Sequence, residues 1–274
     1  MRYFISVVFF SISFSIQIMH LNGNINNFSL MDSGTHLEKN NRISDNNIAS
    51  ISFIQLPSNI VYSEFFSEFK YKDISIAPRL GIIDYGTLSS ISNDKFNPSE
   101  SMVEVTVHNN INDIQYSGSI GYIVSKISSY TSSLILYNFG FSSFFLDNRL
   151  NLHLSFENNT QTINEYSNVI NRYDRYQRLN LKYILQYLPA SICLDFLYGR
   201  NTFDISSGTK IHLNDYCSIY GAKKFYLSDM QYNFFENIAF GLSVFNSTMQ
   251  FNFGIQLLSD FNMSYGTSLL MSIK

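Results

Sequence analysis

The sequence predicts an all-β fold, an antiparallel up-and-down transmembrane β-barrel of about 12–14 strands. Three observations carry that prediction. From about Ile51 to the end, apolar and small polar residues alternate with a period of two. Charged residues make up 14% of the chain, against roughly 25% in an average soluble domain, while aromatic residues reach 16%. Mean hydropathy is nevertheless −0.02, far from the oiliness of a helical membrane protein. Strands with one apolar face and one face of Ser, Asn, Gln and Gly account for all three.

The alternation is cleanest at the end of the chain. Phe261, Met263, Tyr265, Leu269, Met271 and Ile273 share one face, and Asn262, Ser264, Gly266, Ser268 and Ser272 the other. Only Thr267 and Leu270 fall off the pattern. In the strand before it, Met249, Phe251, Phe253, Ile255 and Leu257 oppose Gln250, Asn252, Gly254 and Gln256. Earlier still, Ile238, Phe240, Leu242 and Val244 oppose Ala239, Gly241 and Ser243. Asn246-Ser247 and Ser259-Asp260 have the composition of tight hairpin turns between these strands.

The middle of the chain reads the same way. Leu150, Leu152, Leu154 and Phe156 oppose Asn151, His153, Ser155 and Glu157. Leu179, Leu181, Tyr183, Leu185 and Tyr187 oppose Asn180, Lys182 and Gln186. Ile114, Tyr116, Ile120, Tyr122 and Val124 oppose Gln115, Ser117, Ser119 and Ser125. A soluble sandwich also alternates, but its outer face is rich in Lys, Glu, Arg and Thr. Small polar residues suit the crowded lumen of a barrel. Runs of about 10 to 14 residues exceed the usual strand of about 5–6 and match the roughly 9–11 needed to cross a bilayer at a tilt. Long polar segments at Thr87–Ser101 and Glu157–Gln177 are the expected extracellular loops.

Residues 1–23 read as a signal peptide. Met1-Arg2 is a short positive region, Tyr3 to Met19 is apolar and uncharged, and polar residues follow at once. Residues 24–50 form a polar lead-in, periplasmic or lumenal, and 51–274 form the barrel. After the signal no segment approaches the roughly 18 apolar residues of a membrane-spanning helix. A membrane-embedded chain without such helices must close into a barrel, because nothing else satisfies every backbone N–H and C=O away from water. The last residues, Leu270-Met271-Ser272-Ile273-Lys274, lack the terminal aromatic that many outer-membrane barrels carry.

The chemical signals are sparse. The five histidines, His20, His36, His108, His153 and His212, stand in separate segments without metal-ligand spacing. No nucleophile-elbow motif occurs. His153 and His212 are the candidates for a Ser/His hydrolytic pair, and no partner for either can be named from sequence. The chain is therefore expected to be non-enzymatic, with no catalytic, cofactor-binding or metal-binding residues. A net charge of −3 without a basic cluster leaves no footprint for nucleic acid. Asp84-Tyr85-Gly86 reads as a strand end turning into a loop, with Tyr85 at the membrane–water girdle. A hairpin centred on Ile205, with a turn at Asp204–Gly208, would set Cys193 opposite Cys217 and allow a disulfide. It would also oppose Asp195 to Asp215, so two free thiols are the default.

The stretch from about Ile60 to Asn138 resembles the PorV/PorQ family of outer-membrane proteins, related to FadL-type barrels. The carrying residues are Ile74 to Gly86, ending in Tyr85-Gly86, then a polar loop, then Gly118 to Tyr130. Leu188-Pro189-Ala190-Ser191-Ile192 and the closing hairpins from 237 to 273 are also similar, and the length is closer to the PorQ-like members. The resemblance implies a component of a type IX secretion system that acts in protein secretion or cell-surface attachment. Its partners would be other secretion-system outer-membrane and periplasmic proteins and membrane lipid. A second reading is a FadL-like channel for hydrophobic solutes, which requires an apolar lumenal pocket and a kink or gap in the wall. A third is a soluble secreted β-sandwich or adhesin.

Overall fold

The computed structural model describes residues 47–89, 95–111, 114–165, 175–199, 203–226, 237–258 and 262–273. The signal and most of the lead-in, with His20 and His36, lie outside these residues, as does the Ser259-Asp260 turn. In chain order the strands are β1 (Asn47–Gln55), β2 (Val61–Tyr71), β3 (Ile74–Asp84), β4 (Leu88–Ser89), β5 (Lys95–Phe96), β6 (Ser99–Ile111), β7 (Ile114–Ile127) and β8 (Tyr130–Phe145). They continue as β9 (Leu150–Asn164), β10 (Tyr176–Ile184), β11 (Ala190–Tyr198), β12 (Phe203–Asn214), β13 (Cys217–Tyr226), β14 (Ile238–Phe245), β15 (Met249–Leu257) and β16 (Met263–Ile273).

Among the described residues, all of these except β4 and β5 hydrogen-bond to their neighbours in one closed antiparallel ring of fourteen strands. The seam is β1 against β16, where Asn47 pairs with Ile273 and Gln55 with Tyr265. Closure removes every strand edge, and it excludes the two-sheet sandwich. β1 begins at Asn47, a few residues before the expected barrel boundary. β4 and β5 form a small separate hairpin inside the β3–β6 connection.

The two ends of the barrel differ. Short links at 72–73, 112–113, 146–149, 185–189, 215–216 and 246–248 lie at the rim that also holds the start of β1 and the end of β16. The strand ends joined by the longer connections, 85–98, 165–175 and 227–237, lie at the opposite rim. The expected loop at Glu157–Gln177 is shorter than its polarity suggested, because β9 keeps pairing with β8 as far as Asn164. β10 stops at Ile184, so Leu185 and Tyr187 belong to the turn and not to a strand face.

The alternation sorts as expected. Phe53, Phe65, Ile82, Ile120, Phe139, Phe240 and Phe251 stand exposed on the outer wall. Ser52, Asn151, Asn180, Ser218, Ser243, Asn252 and Ser264 are buried on the inner one. An apolar outside and a polar inside is the reverse of a soluble fold and suits a lipid solvent. Exposed tyrosines mark both rims: Tyr71, Tyr116, Tyr183 and Tyr216 beside the short turns, and Tyr130, Tyr198 and Tyr265 toward the long loops. Tyr85 is not among them, for its side chain is buried with the apolar residues that face inward at the long-loop rim.

Two of the irregularities in the wall lie next to its charged side chains. Between Phe66↔Arg79 and Phe69↔Ile76 the β2–β3 ladder has no paired residues, and Pro78, which has no N–H to donate, sits there. Between Tyr137↔Asn159 and Phe139↔Phe156 the strand β9 carries one residue too many, so Glu157 and Asn158 both face Asn138. Asn158 takes a φ of +59°, a conformation Asn tolerates better than most, and its N–H donates to Asn138 Oδ1 at 2.8 Å.

Candidate functional site

The inner wall holds two zones that alternation alone does not describe. The first is an apolar patch at the long-loop rim. Ile54 of β1, Leu56 and Ile60 of the following link, Tyr62 of β2, Ile83 and Tyr85 at the end of β3, Met102 of β6, Ile123 of β7 and Leu134 and Leu136 of β8 form one buried cluster. It spans six consecutive strands of the ring. Gly81 makes room for it, since a methyl group there would meet Tyr62 Oη at 3.1 Å and Met102 Cε at 3.6 Å.

The second zone is a belt of charged and polar side chains deeper in the lumen. On the β2–β8 side, the Arg79 guanidinium lies between two carboxylates. Its Nε donates to Glu64 Oε2 at 2.5 Å, Nη1 to Glu104 Oε2 at 3.2 Å and Nη2 to Tyr62 Oη at 3.2 Å. The Tyr62 hydroxyl donates to Glu64 at 2.5 Å. Glu104 also accepts from Ser119 Oγ at 2.6 Å and Asn138 Nδ2 at 3.0 Å, so hydrogen bonds run unbroken from β2 to β8. Arg79 sits directly opposite Glu104 in the register.

A similar arrangement recurs on β9 to β11. The Arg178 guanidinium pairs with Glu157 at 3.2 Å and with Asp195 at 3.6 Å, all three largely buried. Ser155 Oγ donates to Glu157 at 2.7 Å and Asn180 Nδ2 to Asp195 at 3.3 Å. Further round, Lys224 pairs with Asp204 at 3.5 Å, and the Lys210 ammonium lies 5.2 Å from the centre of the Tyr220 ring. Ser243, Asn252, Gln250 and Ser268 close the belt across β14 to β16, with Asn252 Nδ2 donating to Ser268 Oγ at 2.9 Å. A buried charge survives only when paired and hydrogen-bonded. The belt supplies the pairing by placing Arg79 and Arg178 each on the strand between two acids.

The residues singled out from sequence are scattered. His153 Nδ1 lies 2.7 Å from Ser142 Oγ and His212 Nδ1 lies 2.8 Å from Ser218 Oγ, two pairs on different parts of the wall. Gly140 leaves the space for the first, because a Cβ there would come within 2.9 Å of His153 Cε1. Ser142 and His153 are both buried. His108 is on β6 opposite Ser75. Among the described residues no three His, Cys, Asp or Glu side chains are placed to share a metal ion. Asp84 ends β3 and accepts the Gly86 N–H at 2.8 Å, with Gly86 at φ +71°, the strand-end turn its composition suggested.

The expected cysteine hairpin is not formed. Asp204–Gly208 lies inside β12, and the chain reverses between Tyr198 and Phe203. Cys193 therefore faces Gly208, while Cys217 opens β13 opposite Asn214 and Val244. Neither cysteine is in a disulfide, in line with the default reading. Asp195 opposes Ser206 rather than Asp215, which frees it to pair with Arg178. The Ser-Ser-Gly composition misled because those residues are lumen-facing or tightly spaced wall residues, not a turn.

Sequence reading missed both zones. Their signals were present as exceptions to the alternation. Ile82-Ile83, Tyr122-Ile123-Val124 and Leu134-Ile135-Leu136 are apolar on both faces, and all fall near the same rim. Glu64, Arg79, Glu104, Arg178 and Asp195 are charges in the middle of otherwise oily strands, which marks inward, paired positions.

No protein-family profile matches the chain, and no curated protein matches it in sequence. Solved structures do share its fold. The toluene transporter TodX of Pseudomonas putida superposes with a TM-score of 0.59 at 8% identity, covering 82% of this chain and 88% of that one. A second TodX structure gives 0.56 at 8% identity over 85% and 92%. The TodX deltaS2S3 mutant, a monoaromatic hydrocarbon channel, gives 0.55 at 7% identity over 83% and 89%. The chain thus shares its closed β-barrel fold with these outer-membrane proteins, and at these identities the likeness is one of fold alone.

Proposed function

We propose that this chain is an outer-membrane channel that admits small hydrophobic solutes, exported behind residues 1–23 as its signal. The observation that carries the reading is the apolar patch inside the mouth of a barrel whose inner wall is otherwise polar. Burying apolar side chains on the wet face of six successive strands has no role in spanning a bilayer. It gives an apolar molecule a place to leave water, at about 25 cal/mol for each Å² removed from it. The unpaired stretch beside Pro78 and the bulge at Asn158 support the second requirement, a kink in the wall. The likeness of fold to TodX supports the reading. Short turns then face the periplasm and long loops the exterior. The chain is non-enzymatic and has no cofactor.

The test has two stages. The protein is first recovered from the outer-membrane fraction and run boiled and unboiled on a gel, where a folded barrel migrates differently before heating. Uptake of radiolabelled toluene by cells expressing the chain is then compared with that of the Met102→Asp/Leu134→Asp variant. Faster uptake by the wild type that the variant abolishes is expected. Soluble recovery without a mobility shift, or uptake equal to that of empty cells, refutes the reading.

The order of motifs from Ile60 to Asn138 favours a second reading, a PorQ-like part in type IX secretion through protein partners. It has its own test: a deletion strain that still secretes and attaches its cargo removes it.

A further inference from the structure

We infer that the short turns joining β8 to β9, β10 to β11 and β12 to β13 form an apolar foot that seats in the nearer leaflet of the bilayer, so that lipid covers the rim on this arc and not on the other. The inference rests on the reading of the chain as a membrane-embedded barrel and is independent of what passes through the lumen. The turns 146–149, 185–189 and 215–216 stand side by side. Ile184 N–H donates to Arg149 O at 2.8 Å and His212 N–H to Pro189 O at 2.7 Å, which ties the first two turns each to the strand beyond. Leu146, Tyr187, Leu188, Leu213 and Tyr216 are exposed along this arc. Tyr187 and Leu188 are 88% and 62% exposed and lie past the last residue of β10. Large apolar side chains at turn tips are unfavourable in water, where Asn, Asp, Gly and Ser serve the turn as well.

The other two described turns of this rim are polar. Lys72-Asp73 follows directly on Tyr71, and Asn246-Ser247-Thr248 on Phe245, so the apolar wall there ends with the strand. On the foot it continues. Phe145, Tyr183, Ile192 and Ile211 are exposed strand residues that lead into the turns, with no Asp, Glu, Lys or Arg in the chain between them and Leu146, Tyr187, Leu188 and Leu213. The occupant that fits is therefore the lipid that already meets the wall. The nearest charges, Asp147 and Arg149, lie 3.9 Å apart within their own turn. Tyr187 and Tyr216 each carry an apolar ring and a hydroxyl, which suits the depth of the headgroups. An apolar band longer on one side than the other is met by a tilt of the barrel or a local change in bilayer thickness.

The chain has no tryptophan, so a Trp introduced at one position reports its own surroundings. Full-length Tyr187→Trp, Leu188→Trp, Ser247→Trp and Phe251→Trp are each folded into phosphatidylcholine vesicles made with plain or with acyl-chain-brominated lipid. Bromine quenches an indole that reaches the acyl region. All four positions are exposed, and a heat-modifiable band confirms that each variant is folded. Phe251→Trp, on the outer wall, should lose most of its emission in brominated lipid. Tyr187→Trp or Leu188→Trp, whichever points to the bilayer, should lose nearly as much, and Ser247→Trp should keep its emission. If neither turn variant is quenched while Phe251→Trp is, the foot is overturned and the barrel reading stands. Quenching of Ser247→Trp as strong as that of the foot overturns the difference between the arcs. An unquenched Phe251→Trp overturns both readings.

Discussion

Replacing Arg79 by Leu is the sharpest perturbation of the belt. The side chains of Arg79, Glu64 and Glu104 are 17%, 4% and 7% exposed, so the substitution strands two carboxylates with little access to water. Removing one partner of such a buried pair costs about 3–5 kcal/mol. Glu104 keeps Ser119 and Asn138 as donors, and Glu64 keeps Tyr62. In the Arg79→Leu background, Glu64→Gln and Glu104→Gln should each restore part of the stability, and the triple variant more than either. Stability is read by guanidinium unfolding of the barrel in lipid vesicles, following tyrosine fluorescence. A loss below about 1 kcal/mol for Arg79→Leu would mean that the acids are not desolvated. Absence of rescue by either glutamine would mean that stranded carboxylate charge does not set the cost.

Four further outcomes follow from the wall. Gly140→Ala should destabilise by about 1–3 kcal/mol, because its Cβ would come within 2.6 Å of Ser117 Oγ and 2.9 Å of His153 Cε1. Gly221→Ala has nothing within 4 Å and should be close to neutral in the same unfolding assay. Leu242→Arg puts a charge on the exposed outer face of β14 and should cost up to about 2–4 kcal/mol in lipid, whereas a soluble protein would tolerate it. A maleimide reagent should label Cys217 in the folded barrel and spare the buried Cys193, and unreduced and reduced samples should run alike. A disulfide-dependent shift would contradict the register between β11 and β13.

Which way most strand side chains point can be read from the sequence. Strand geometry is local, so the period of two in Met249–Leu257 or Met263–Ile273 assigns lipid and lumen without reference to any other strand. It also gave the turn at Asn246, whose Oδ1 accepts the N–H of Thr248 and of Met249 at 2.8 Å, because an Asx turn is made by its own few residues. Only the tertiary structure decided which residues meet. Sliding one strand past another by two residues leaves every face unchanged, so alternation is blind to register. The hairpin register that would have opposed Cys193 to Cys217, and the unseen pairing of Arg79 with Glu64 and Glu104, have that same cause. The apolar patch is a further step removed from the sequence. Each of its strands contributes one or two exceptions to the pattern, and they become a surface only when closure of the ring brings six of those strands side by side.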